Sequence, residues 1–321
     1  MSAPRAGDGP LLVVYRALGL GDLLTGVPAL RALARAFPGH RRVLCAPAVL
    51  GPLVALIDGI DALSDTRALE PPEVALARPA VVVNLHGRGP ESHRALTTLG
   101  PDRLIAFDCP PAGHSGPRWS GDEHEIARWC RLLEEEGIPA DAGDLDLPAP
   151  AVDPGPHATG ATVIHPGAAS ESRRWPVERW ALVAGREAAR GRRVVITGSA
   201  TERRIALEVA ERAGLDATSV LAGRTDLDEL AAVIATAGRV VCGDTGVGHL
   251  ATAFGTPSLL LFGPTAPEHW GPPARRSQHV VLWHGRRGDP HADTPDPGLL
   301  ALGAEEVDTV LAGLPDRVES R

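Results

Sequence analysis

Short apolar runs alternate with longer amphipathic stretches along most of the chain. In the first half, the apolar runs at 11–15, 42–45, 81–85 and 104–107 have strand length and lie between polar segments. Between them, Leu30, Leu33, Ala34 and Phe37 repeat at helical spacing, and 123–135 reads as an amphipathic helix. Pro28 lies well inside the first helical stretch and predicts a kink or a restart there. The pattern breaks over 138–160, where Pro139, Pro148, Pro150, Pro154 and Pro156 give the composition of a linker.

The alternation then restarts. Residues 162–165, 193–197, 240–242 and 258–262 read as strands, and 279–283 as a last one. Residues 180–190, 201–212, 226–236 and 245–254 read as the helices between them. A polar, proline-containing stretch at 286–297 reads as a loop, and 304–311 as a closing helix stopped by Gly313 and Pro315. Strand–helix alternation on this scale predicts the α/β class, with two doubly wound parallel-sheet domains at 1–150 and 151–321 facing one cleft. Ligands of such sheets bind beyond the carboxyl ends of the strands, so the loops that follow strands are where chemistry is expected.

Composition narrows the field. The chain has 321 residues, ample for two cored domains. Its formal net charge of -8, with no basic block, argues against a general nucleic-acid binder. No apolar run approaches the length of a membrane span, and Arg16 and Asp22 interrupt the N-terminal apolar stretch too early for a secretion signal. A cytoplasmic protein is therefore expected. Cys45, Cys109, Cys130 and Cys242 are far apart and fit buried thiols better than a zinc site or disulfides. There is no lysine, so Schiff-base chemistry and a Walker-type phosphate loop are excluded.

Five strand-end loops carry candidate chemistry. Leu18-Gly19-Leu20-Gly21-Asp22 follows the first strand, and Leu24 breaks the dinucleotide fingerprint, so Asp22 reads as a helix cap or as a carboxylate aimed at a ligand. Asn84-Leu85-His86-Gly87-Arg88 ends another strand and reads as an ordinary turn or a polar-ligand contact. His165-Pro166-Gly167-Ala168-Ala169, with Arg173 and Arg174 before Trp175-Pro176, combines small residues with paired guanidinium groups and favours an anion. Gly198-Ser199 with Glu202 offers either a ribose-binding carboxylate or a first-turn acid. Gly243-Asp244-Thr245-Gly246-Val247-Gly248-His249 joins a strand to a helix as an anion cradle, with Asp244 orienting amides or meeting a sugar hydroxyl. Trp270, with Gly263-Pro264-Thr265, is a weaker candidate cover for a base or sugar, and His291, Asp293 and Asp296 read as solvated loop residues.

Together and in this order, these segments resemble glycosyltransferase family 9, the ADP-heptose:lipopolysaccharide heptosyltransferase-like family. The pieces are Arg16 with 18–22, Pro28-Ala29-Leu30, Leu85-His86-Gly87, the 165–176 run, 198–202, Ala222-Gly223-Arg224-Thr225, and Asp244-Thr245-Gly246 with His249. The resemblance implies a GT-B fold, with an acceptor-binding first domain, a donor-binding second domain and a C-terminal helix returning to the first. It implies metal-independent, inverting transfer of a heptose or related hexose from a nucleotide-diphosphate sugar to a glycan or glycolipid hydroxyl. By motif, Asp22 matches the catalytic base. His165, Gly167, Ala168, Arg173, Glu202, Asp244, Thr245, Gly246 and His249 match the donor site, and Arg16, His86 and Arg88 are expected at the acceptor. The family more usually carries Asp where Asn84 stands. No cofactor and no metal are expected. The donor is a substrate, an ADP-linked sugar being one option beside guanine and uracil nucleotides. A lipid-linked acceptor would bring the protein to the inner face of the cytoplasmic membrane. Two alternatives remain at this stage: a nucleotide-sugar epimerase of the same fold, and a non-catalytic nucleotide-sugar-binding subunit.

Overall fold

The computed structural model describes residues 9–73 and 78–317, which divide into two units between Leu145 and Asp146. In the first unit the chain runs β1 (Leu11–Tyr15), α1 (Leu20–Ala36), β2 (Arg41–Ala46), α2 (Gly51–Val54), β3 (Ala62–Asp65), β4 (Val81–Asn84), α3 (Glu91–Thr97), β5 (Arg103–Ile105) and α4 (Glu125–Glu135). Its five strands are all parallel, in the order β3-β2-β1-β4-β5. β1 is buried on both faces, which is why its sequence is a continuous apolar run with no polar alternation. The chain winds to one side of β1 through β2 and β3, then to the other through β4 and β5. The crevice of this sheet therefore lies at the carboxyl ends of β1 and β4.

The second unit repeats the plan. It contains β6 (Thr162–His165), α5 (Val177–Ala189), β7 (Val194–Ile196), α6 (Arg203–Arg212), α7 (Leu227–Thr236), β8 (Arg239–Gly243), α8 (Gly246–Ala253), β9 (Ser258–Leu261), α9 (Pro267–Trp270), β10 (His279–Leu282), α10 (Pro297–Ala301) and α11 (Ala304–Gly313). The order β10-β9-β8-β6-β7 is again all parallel, and the switch lies between β6 and β8. Trp175 and Trp180 meet edge to face, with ring centroids 4.9 Å apart, in a core that also takes Leu299, Leu302, Val307 and Leu311.

Several expectations need correction. α1 runs unbroken through Pro28, with no restart. β3, α2, α3, α9 and α10 were not foreseen. The 138–160 segment is irregular but docked: Leu145 packs with Ile126 and Cys130, and the Leu147 amide donates to Ala253 O at 2.9 Å. Asp296 is buried rather than solvated, and caps α10 by accepting from the Gly298 and Leu299 amides at 2.8 and 3.1 Å. α11 packs on α5, both in the second unit.

Candidate functional site

In the first unit, the chain leaves β1 through Arg16 and enters α1 at Leu20. Asp22 sits in the first turn of α1, and its Oδ2 accepts from the Gly19 amide at 3.2 Å. The helix-capping reading is met by this hydrogen bond, and the side chain stays 26% exposed. Burial pushes the Asp22 carboxyl above the ordinary aspartate range. The Arg16 guanidinium pulls it down and the Glu125 carboxylate pushes it back up.

Arg16 does not stand where an acceptor could reach it. The residue is fully buried, with Nε donating to Asp22 O and Nη1 to Leu85 O, so it ties the end of β1 to the end of β4. Its Nη2 donates to Thr25 Oγ1 and Glu125 Oε1, both at 3.0 Å. The guanidinium lies 5.0 Å from the centre of the Trp129 ring. Gly26 makes this possible, since a Cβ there would come within 3.0 Å of the Arg16 side chain. Arg16 is thus a strut beneath the site. Glu125 and Trp129, its partners on α4, were missed, because a lone acid at the start of a helix looks like any first-turn acid.

After β4, His86 stacks on Tyr15 with centroids 5.0 Å apart, and its Nδ1 is buried without a partner among the described residues. Burial and then the Arg16 charge push its pKa down to about 4, so the ring is neutral. Arg88 lies exposed two residues on. Asn84 is wholly buried: its Nδ2 donates to Ser92 Oγ at 3.0 Å and contacts His93 Nδ1 at 3.2 Å, while its Oδ1 accepts the His86 amide at 3.0 Å.

In the second unit, the loops after β6, β7, β8 and β9 converge. His165 Nδ1 contacts Thr197 Oγ1 at 3.0 Å. Burial holds His165 below the usual histidine range, against the pull of Glu202. Burial pushes the Glu202 carboxyl up, but the Ser199 amide (2.7 Å), His165, the Ser199 hydroxyl (2.8 Å) and Arg174 together bring it below the ordinary range. Gly167 leaves room for this arrangement, since a Cβ at that position would displace the Glu202 carboxylate. Ala168 is buried, and its carbonyl accepts from Arg174 Nε at 3.0 Å.

Arg173 reaches the loop after β8, donating from Nη1 to Asp244 O at 3.1 Å, while its buried Nε has no partner among the described residues. Asp244 is 8% exposed. Burial raises its carboxyl, while Arg173 and a hydrogen bond from the Thr265 hydroxyl pull it down. Thr245 occupies the position before α8 without capping it, and its hydroxyl is buried beside the Cys242 thiol. Gly246 opens α8. A small pocket of about 10 Å³ is lined by Asp244, Thr245, Gly248, His249, Phe262 and Trp270. The His249 and Trp270 rings meet edge to face at 6.0 Å. This unit therefore places a small pocket with a histidine–tryptophan wall at the start of α8, with the Arg173 guanidinium held next to it on the Asp244 carbonyl.

Residues 119–295, more than half of the chain, match the model of glycosyltransferase family 9 (heptosyltransferase). The chain belongs to glycosyltransferase family 9. Among curated relatives, this family 9 chain is 38% identical over 163 residues to lipopolysaccharide heptosyltransferase 1 of Pseudomonas aeruginosa. That match spans 49% of the chain and only 45% of the relative's length. The fold is shared more widely. A family 9 glycosyl transferase from Veillonella parvula superposes with a TM-score of 0.78 at 20% identity, covering 96% of this chain and 98% of that one. The Escherichia coli heptosyltransferase WaaC with ADP gives 0.70 at 20% identity, covering 94% and 99%. The two Rossmann-like units are those of the GT-B class.

Proposed function

We propose that the protein transfers a sugar, a heptose or related hexose, from a nucleoside-diphosphate donor to a hydroxyl of a glycan or glycolipid, with inversion and without a metal. The observation that carries this reading is the end of β8 in a family 9 chain, where Asp244 and Thr245 line a pocket at the start of α8 and the Arg173 guanidinium is held against the Asp244 carbonyl. A diphosphate gains charge as it leaves, and a forked cation with helix-end amides stabilises that charge without a Lewis acid. Glu202, held low and oriented by Ser199, is the acceptor for ribose hydroxyls. Asp22 is the base: raised by burial and partly exposed, it takes the proton of the acceptor hydroxyl. The freed oxygen lone pair attacks the anomeric carbon. The bond from that carbon to the phosphate oxygen breaks, and its electrons leave with the nucleoside diphosphate.

Adenine is the preferred base because the relatives include heptosyltransferases and one solved neighbour is named with ADP. Nucleotide sugars are cytoplasmic metabolites, so the reaction belongs there, at the inner membrane face if the acceptor is lipid-linked. Calorimetric titration with ADP, GDP and UDP, with and without EDTA, tests the donor site. One diphosphate binds selectively, EDTA changes nothing, and Arg173→Ala weakens binding about 10–100-fold, the worth of a charge-assisted contact. Asp22→Asn keeps that affinity and lowers transfer about 10²–10⁴-fold. Binding of no diphosphate at all overturns the reading.

A further inference from the structure

Two carboxylates compete for one buried guanidinium at the end of β1. Arg16 Nη2 stands 3.0 Å from Glu125 Oε1 and 3.7 Å from Asp22 Oδ1. Glu125 holds the nearer place because α4 fixes it from several sides. Its Oε1 also accepts from Trp129 Nε1 at 2.8 Å, its other oxygen is bound by Arg128, and its side chain is only 6% exposed. Arg128 in turn is held by the carbonyls of Ser120 and Glu123. Asp22 accepts from the Gly19 amide, stands 3.7 Å from Arg16 Nη2 and remains partly exposed.

We propose that Glu125 is a positioning residue for Asp22: by taking the nearer place on the Arg16 guanidinium, it holds Asp22 to a looser ion pair with Arg16 and leaves that carboxylate able to take a proton. The inference rests on the reading of Asp22 as the base, but concerns how the protein keeps it one. A buried arginine with no other counter-ion would draw in the nearest carboxylate, and an aspartate paired with it is a weak base. The charged groups acting on Asp22 are Arg16 from the end of β1 and Glu125 from α4, with Arg128 behind Glu125.

The test is a carbon-detected NMR titration of the whole chain labelled at aspartate Cγ, with the Asp22 signal assigned by its loss in Asp22→Asn. No substrate is needed, so the result is separable from whether the protein transfers sugar. In the unaltered protein, Asp22 titrates above ordinary aspartates. In Glu125→Gln its midpoint falls by about one pH unit or more, as expected when a carboxylate acquires an arginine of its own. Glu125→Asp keeps the charge but withdraws it by one methylene, and gives a smaller shift in the same direction. This milder variant serves if Glu125→Gln does not fold. A structural role alone would lower the melting temperature of these variants without moving the Asp22 midpoint. An unmoved midpoint in either folded variant, or an ordinary midpoint in the unaltered protein, overturns the proposal.

Discussion

Asn84 shows how one atom decides a site. The Phe107 carbonyl can only accept, so His93 Nε2, 2.8 Å away, carries the proton, and His93 Nδ1 is bare and accepts from Asn84 Nδ2. Burial holds His93 below the usual histidine range, the His114 ring adding to this and the Phe107 carbonyl opposing it. Asn84→Asp removes the donor and sets a buried carboxylate against a bare ring nitrogen. A proton must then be taken up to join them, raising the folded-state pKa of the pair. Stability is therefore retained at low pH and lost as pH rises. Thermal unfolding should show a small deficit near pH 5 and a deficit of about 2–3 kcal/mol near pH 8, the cost of an unsatisfied buried polar group. A deficit independent of pH would refute this account. At this scale the sequence marks the loops that follow strands through their small residues and paired charges, as at Gly167 beside Glu202 and Arg173 against Asp244. It misled at Arg16, because a spacing motif does not distinguish a buried arginine from one facing a ligand.

The elements were legible where their periodicity was strong. α4 and the strands around β1, β6 and β8 fall within a residue or two of expectation, because continuous burial leaves an unbroken apolar run. β3 was missed because its four residues, Ala-Leu-Ser-Asp, are only half buried at a sheet edge. α1 survives Pro28 because the helix is buried from Leu23 to Leu33, and packing outweighs one missing amide. The closing helix depends on charge as well as packing. Asp308 of α11 accepts from Arg190 at 2.6 and 2.8 Å and from Arg186 at 3.0 Å, both on or beside α5. Hydrogen bonds from Arg190 hold its carboxyl below the ordinary range, against the push of burial. Asp308→Asn should lower stability by about 1–3 kcal/mol, the loss being greatest near neutral pH and shrinking as acid protonates the parent aspartate. Chemical denaturation at pH 7 and pH 3.5 checks both magnitude and trend.

For the whole molecule, the two matching parallel sheets were foreseeable from strand–helix alternation alone, whereas the side-chain ties at their switch points were not. Buried neutral histidines give the fold a common acid sensitivity. Burial, and then the Arg16 and Arg276 charges respectively, push His86 and His279 to about 4, and burial also lowers His93 and His165. In the unfolded chain these rings take up protons near pH 6.5, while in the folded chain all four resist protonation there, His86 and His279 until about pH 4. The unfolded state therefore binds more protons in this window, and stability falls as pH drops through it. The urea midpoint should decline from pH 7 to pH 4.5, and His279→Gln should flatten that decline. A midpoint indifferent to pH would contradict it.

The buried thiols have a practical consequence. Cys45, Cys109 and Cys130 lie within the first unit and Cys242 within the second, all shielded from solvent. A maleimide reagent therefore meets a sulfur only when a unit opens. Modified mass is then a ledger of breathing: three added labels mark excursions of one half of the molecule, and a single label marks excursions of the other.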